Sequence, residues 1–166
     1  MATHRIPIIS QNMLPDSGVF QDRAGNQIAA ANQVGNQLCY VLADGGADEG
    51  FYDSFSIPKN YIGTPKIIVK GILDGAMTSV VLQFGVKGIT LADNEAADVA
   101  YSTEDTGSIS ADHADEDKFE LSITCTNFTG FAVDDEAHYY LYVDASGNSY
   151  TGNILLSQVE FEYADA

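Results

Sequence analysis

The sequence predicts an all-β protein, an antiparallel β-sandwich of jelly-roll type with about eight strands and an extended N-terminal arm. Three observations predict this fold. From residue 37 onward apolar and polar residues alternate with a period of two, the alternating runs are short, and Gly, Asp and Asn turns separate them. No segment after residue 37 keeps a helical period over three turns. About eight strands favour a jelly roll over a seven-stranded immunoglobulin-like sandwich.

The chain divides by composition into an arm and a domain. Residues 1–36 hold most of the Asn and Gln and two of the four prolines, which indicates an extended N-terminal arm. Residues 37–166 carry the alternating runs and form the predicted sandwich domain. A total of 166 residues suits one domain of this kind.

The predicted strands follow one another with a single acidic interruption. They span 37–43, 51–57, 66–73, 78–87, 119–126, 137–144 and 154–163. Residues 92–118 are acidic and poor in large apolar residues, so a long loop with a weak strand near 99–101 and another near 108–109 is expected there.

The strand at 137–144 is aromatic on both of its faces. Tyr139, Leu141 and Val143 share one face and are expected in the core, whereas Tyr140 and Tyr142 share the other. Exposed aromatic residues mark contact surfaces. Tyr140 and Tyr142 are therefore predicted interface residues, with a sugar-binding surface and a covered core face as alternatives.

Charge excludes two classes of partner. Seven Lys and Arg stand against 24 Asp and Glu, for a formal net charge of −17, and the basic residues are scattered. Nucleic acids and anionic membranes both need clustered positive charge. Neither partner is expected, and without an apolar run of membrane-spanning length or a secretory signal we expect synthesis in a cytoplasm.

No catalytic, cofactor or metal site is predicted. The histidines, His4, His113 and His138, are not at metal-ligand spacing, and no nucleotide-binding or hydrolase motif is present. Calcium is the one ion considered, at the oxygen-rich stretches 112–117, 134–136 and 144–148, but a solvated acidic surface is the favoured interpretation. Cys39 and Cys125 lie in apolar runs and are expected to be buried free thiols, with a disulfide between facing sheets as the alternative.

Two stretches carry a resemblance to a known family. Ser54–Val69 contains a strand ending in an F-x-[IV]-P-x-x-Y turn before a β-branched strand, and Asp144–Asp165 contains a long turn followed by a final strand. Both resemble small jelly-roll virion proteins of tailed bacteriophages, over roughly residues 50–166. The resemblance implies a non-enzymatic capsid decoration (cement) protein on the virion surface, commonly a homotrimer, that binds the major capsid protein.

Under that interpretation the N-terminal arm makes contact with the capsid. Ile6, Ile8 and Ile9 are the expected apolar anchors, and His4 and Arg5 are expected to meet carboxylates of a capsid subunit. The alternative is a carbohydrate-binding β-sandwich module of a phage fibre or surface protein, which would use Tyr140, Tyr142 or the tyrosines at 52, 101 and 150. A secreted or surface sandwich domain of unrelated function is a third interpretation.

Overall fold

Two antiparallel β-sheets packed face to face form the protein. The computed structural model describes residues 2–9, 14–15, 20–21, 27–28, 32–34, 37–42, 47–96 and 98–165, with side chains at 2–9, 40–42, 47–96 and 98–165. The strands are β1 (Thr3–Pro7), β2 (Leu14–Pro15), β3 (Phe20–Gln21), β4 (Gln27–Ile28), β5 (Asn32–Val34), β6 (Gln37–Leu42), β7 (Glu49–Ser56), β8 (Tyr61–Asp74), β9 (Leu82–Leu91), β10 (Asp105–Ile109), β11 (Lys118–Thr124), β12 (Glu136–Val143) and β13 (Asn153–Asp165).

The connections between the sheets are those of a jelly roll. The first sheet has the order β11-β8-β13-β6-β3-β4, with β1 beside β13 and β5 beside β6. The second sheet has the order β10-β9-β12-β7-β2. From β7 to β13 the chain passes from one sheet to the other and back, and only β9 and β10 are consecutive neighbours in one sheet. The predicted all-β antiparallel sandwich is therefore confirmed.

No described residue lies in a helix, and so none of them forms an apolar helix long enough to cross a membrane.

The core lies between the sheets and is built by the alternation that the sequence shows. Along β11 every second side chain is buried, and β12 keeps the same alternation as far as Leu141, after which Tyr142 and Val143 are both buried. Such alternation places one face of a strand in the core and leaves the other outside. The largest fully buried side chains include Tyr139, Phe51, Phe84, Phe128 and Phe161. Cys125 is a buried free thiol, as expected, whereas the side chain of Cys39 lies outside the described residues.

Strand β9 begins four residues later than its alternation predicts. The alternating pattern starts at Thr78, but the strand starts at Leu82. Ser79 has a φ of 54°, which is incompatible with extended backbone. The amide of Ser79 donates to Oδ1 of Asp112, 33 residues further along the chain, at 3.0 Å. This hydrogen bond takes the place of the strand pairing that was predicted to begin at Thr78.

The first residues of the chain form part of the sandwich. Strand β1 pairs antiparallel with β13, with Thr3 opposite Ala164 and Pro7 opposite Glu160. Ile8 follows as a core residue that is 3% exposed. The remainder of residues 1–36 is described only as the short strands β2 to β5, so the predicted boundary at residue 36 stays a prediction.

One buried carboxylate fixes the loop after β11. Asp105, the first residue of β10, is 5% exposed. Its two oxygens accept the backbone amides of residues 126, 127 and 128 at 2.8–3.0 Å and the hydroxyl of Thr126 at 2.5 Å. Burial alone would raise the pKa of Asp105, but the hydrogen bonds from Phe128, Thr126 and Asn127 outweigh it and bring the pKa below the ordinary 3.8.

The fixed loop then packs onto β9. The ring of Phe128 lies so close to Gly88 that a Cβ added at this glycine would be 2.4 Å from Cζ of the ring. Asn127 donates from Nδ2 to the carbonyl of Glu104 at 2.8 Å. The loop is thereby held against both β9 and the segment that precedes β10.

Truncating Ile8 tests whether the N-terminal residues belong to the core. We expect Ile8→Ala to lower the free energy of unfolding by about 2–5 kcal/mol, because it removes a buried side chain and leaves a cavity. Arg5→Ala, which removes the ion pairs of a solvent-exposed guanidinium on β1, is expected to cost less, about 1 kcal/mol. Urea unfolding of both variants measures the difference, and equal small losses would show that residues 3–9 do not pack as described.

Substituting Asp105 tests the carboxylate. Asp105→Asn is expected to lower the free energy of unfolding near neutral pH by about 3 kcal/mol, because an amide group replaces one acceptor oxygen and faces backbone donors. The matched control is Asp98→Asn at an exposed position, which is expected to change stability by less than about 0.5 kcal/mol.

Comparison of the wild type with Asp105→Asn also gives a pH dependence of stability whose sign is known. The pKa of Asp105 is lower in the folded state, so its contribution is complete above the ordinary value of 3.8 and is lost as the pH falls through the folded-state pKa. The stability difference between wild type and Asp105→Asn should therefore narrow below pH 3.8. A difference that stays constant over this range would contradict the assignment.

Candidate functional site

Four tyrosines meet on the outer face of the second sheet, and we refer to Tyr52, Tyr101, Tyr140 and Tyr142 as the tyrosine face. Tyr140 of β12 lies directly opposite Tyr52 of β7, and Tyr142 follows two residues along the same strand. The ring centroids of Tyr52 and Tyr140 are 4.5 Å apart, and those of Tyr140 and Tyr142 are 4.7 Å apart. Both pairs are stacked, so the three rings form one column across two strands.

One end of this column is buried. Tyr142 has no exposed surface, and a Cβ added at Gly85 of the neighbouring β9 would lie 2.5 Å from Cζ of its ring. Lys87 of β9 makes a cation–π contact with the same ring, its ammonium lying 4.9 Å from the ring centroid of Tyr142. The hydroxyl donates to Oε2 of Glu104. Burial, together with this hydrogen bond, raises the pKa of Tyr142, so the hydroxyl remains protonated.

The other end of the column is accessible. Tyr52 is 42% exposed and is one of the few large apolar side chains so exposed among the described residues. Tyr101 lies beside it, with ring centroids 6.2 Å apart and the planes tilted by 49°. Partial burial raises the pKa of the Tyr101 hydroxyl. At this end of the column the pair leaves aromatic surface open to solvent.

The segment that carries Tyr101 is fixed to the edge of β9. The amide of Ser102 donates to the carbonyl of Gly88 at 3.0 Å, and Oγ of Ser102 accepts the Gly88 amide at 3.2 Å. These reciprocal bonds fix Ser102 against β9, although the weak strand predicted near 99–101 does not form.

A cleft opens beside the tyrosine face. Its volume is about 710 Å³, and it is lined by Lys87, Tyr101, Ser102, Thr103, Glu104 and Asn127. The lining thus combines an aromatic ring with hydroxyl, amide, ammonium and carboxylate groups. The volume lies in the range of roughly 300–1,000 Å³ found for ligand pockets in proteins, and the lining is more polar than the mainly apolar lining of most such pockets.

The N-terminal residues predicted to bind a capsid lie on the first sheet and contact their own chain. Nε of Arg5 is 2.7 Å from Glu162 and its Nη1 is 2.9 Å from Glu120, while Nε2 of His4 is 3.0 Å from Asp165. The isoleucines Ile6, Ile8 and Ile9 pack against the core. The structure therefore does not bring these residues together with Tyr140 and Tyr142.

Two of the three acidic stretches considered for calcium, 112–117 and 144–148, are used by backbone donors. Asp112, Asp115 and Asp117 accept the amides of Ser79, Gly75 and Ala114 at 2.8–3.0 Å. Asp144 accepts from Ser146 and from the side-chain amide of Gln83. Across the described part of the chain, no three His, Cys, Asp or Glu side chains are grouped to hold a metal ion.

The alternation along β12 predicts that Tyr140 and Tyr142 share a face, and the tyrosines at 52, 101 and 150 are candidates only under the carbohydrate-binding alternative. The structure places Tyr52 in β7 next to Tyr140, and it buries Tyr150, whose hydroxyl donates to the carbonyl of Gly75 at 3.0 Å. Lys87, Thr103 and Asn127 carried no signal in the sequence.

Solved structures similar to this chain match at low identity. A "CBM35 from Cellvibrio japonicus Abf62" aligns with a TM-score of 0.45 and 10% identity over 99% of both chains. An arabinose-bound MgGH51 α-L-arabinofuranosidase aligns with a TM-score of 0.43 and 13% identity over 97% of this chain and 23% of that chain. TmCBM27, a carbohydrate-binding module described by its mannan recognition, aligns with a TM-score of 0.40 and 12% identity over 99% of both chains. No protein-family model and no curated protein matches the chain.

Proposed function

We propose that the chain is a non-catalytic carbohydrate-binding β-sandwich module whose ligand lies across Tyr52, Tyr101 and the adjoining cleft. One observation carries the proposal, namely that the exposed Tyr52 lies beside the half-buried Tyr101, which itself lines a cleft with neutral and charged hydrogen-bonding side chains. Tyr52 and Tyr101 are among the tyrosines that the sequence offered for the carbohydrate-binding alternative.

The chemistry of the cleft matches the two sides of a sugar ring. A pyranose has faces rich in C–H groups and an edge of hydroxyl groups. The apolar surface of an aromatic side chain suits the C–H face of the sugar. Ser102, Thr103 and Asn127 supply hydroxyl and amide groups that can bond the hydroxyl groups at the sugar's edge.

The arrangement is preorganised. Tyr52 is stacked on Tyr140, which is itself stacked on the buried Tyr142, and the segment with Tyr101 is tied to Gly88. A ligand that binds rigid side chains does not have to order them, so less of the interaction energy is lost.

A binding role without catalysis is supported by the state of the nearby carboxylates. Glycoside hydrolysis uses two carboxyl groups on either side of the scissile bond. Glu104 in the cleft accepts a hydrogen bond from the Tyr142 hydroxyl, and Glu95 accepts one from the amide of Ala92 at 2.9 Å. Both carboxylates are thus engaged with their own chain.

The capsid decoration function, the virion location and the homotrimer stay predictions of the sequence resemblance. They concern partners outside the chain, and the contacts described above do not test them. Binding to undecorated capsids and the mass of the protein in solution are the measurements that do.

A glycan array tests the proposed function. We expect a defined set of glycans to be retained by the wild type, and Tyr52→Ala to weaken their binding about tenfold because the aromatic surface is lost. Tyr52→Phe is the matched control and should retain binding within about threefold. An array on which the wild type retains no glycan, or one on which Tyr52→Ala binds as well as the wild type, would overturn the proposal.

A further inference from the structure

A second depression adjoins the cleft and is more apolar. Its volume is about 480 Å³, and we call it the apolar groove; its apolar lining residues are Ile89, Leu91, Ala96, Val99 and Ala100. Val99 is 53% exposed, the most exposed large apolar side chain among the described residues. It lies at the rim in the segment before Tyr101.

The apolar groove and the cleft form one continuous surface. Ser102 and Asn127 line both of them. A ligand of two or more sugar residues that contacts Tyr101 therefore reaches the groove without leaving the protein surface. Both volumes are of the size that ligand pockets usually have.

The lining indicates which substituent the groove accepts. A sugar hydroxyl facing Leu91 and Val99 would give up water without gaining a hydrogen-bond partner from these two side chains, which is unfavourable. A methyl group in the same place removes apolar surface from water on both sides. The groove also offers Oγ of Ser102, whose hydrogen is directed away from the Gly88 amide that this oxygen accepts, and the hydroxyl of Thr129.

Charge favours a neutral substituent. Glu95 lines the groove and Glu104 lines the cleft, against the single ammonium of Lys87. The whole chain carries a formal charge of −17. A carboxylate or sulfate on the ligand would be repelled by this field.

We propose that the apolar groove binds the acyl group of an N-acylated amino sugar, with the acyl methyl against Val99 and Leu91 and the neighbouring sugar residue against Tyr101. This inference rests on the proposed function and names the class of its ligand, a neutral N-acetylated glycan of at least two residues.

Matched glycans that differ only at this substituent test the inference. Tri-N-acetylchitotriose and cellotriose share one backbone, and binding of each is measured by titration calorimetry with the intact chain. We expect the N-acetylated trimer to bind at least about fourfold more tightly, the gain that corresponds to burying one methyl group. Val99→Ser is expected to remove most of this preference.

Val133→Ser is the control variant, because Val133 is also exposed, at 43%, but does not line the groove. It should retain the preference. Equal binding of the two trimers by the wild type, an unchanged preference in Val99→Ser, or binding of neither trimer would overturn the inference. The proposed function fails separately, through the absence of any glycan whose retention depends on Tyr52.

Discussion

A buried carboxylate holds together the parts of the molecule from which the candidate site is built. Asp105 lies where the segment with Tyr101 enters β10, and its oxygens accept three consecutive backbone amides of the loop after β11. The burial of a charge is unfavourable unless hydrogen bonds compensate for it, and here they do so fully enough to lower the pKa. Asn127 in the cleft and Phe128 against Gly88 both take their positions from this contact.

The acidic composition has a structural use that a net charge does not reveal. In the stretch 112–117 and at Asp105, Asp144 and Asp165, carboxylates accept backbone amides of turns and strand ends. Each such bond satisfies a donor that a loop would otherwise leave to water. These carboxylates therefore stabilise the connections and strand ends of the sandwich.

Short-range alternation made much of the fold predictable, whereas long-range pairing did not. The two faces of β12 follow from its own sequence, because side chains alternate strictly along a strand. The position of Tyr52 beside Tyr140 depends on the register between β7 and β12, which are far apart in sequence. Tyr101 reaches the same face only because Ser102 pairs with Gly88. The start of β9 was predicted too early because a side-chain contact from Asp112 turns the chain at Ser79.

The central claim is that the accessible end of the tyrosine column is a ligand-binding surface. Nuclear magnetic resonance of the protein with labelled tyrosine rings tests it most directly, by following the nine tyrosines during titration with a glycan retained on the array. We expect the ring signals of Tyr52 and Tyr101 to shift in proportion to occupancy, while those of the buried Tyr139 and Tyr150 stay in place. Shifts confined to tyrosines outside the tyrosine face would contradict it.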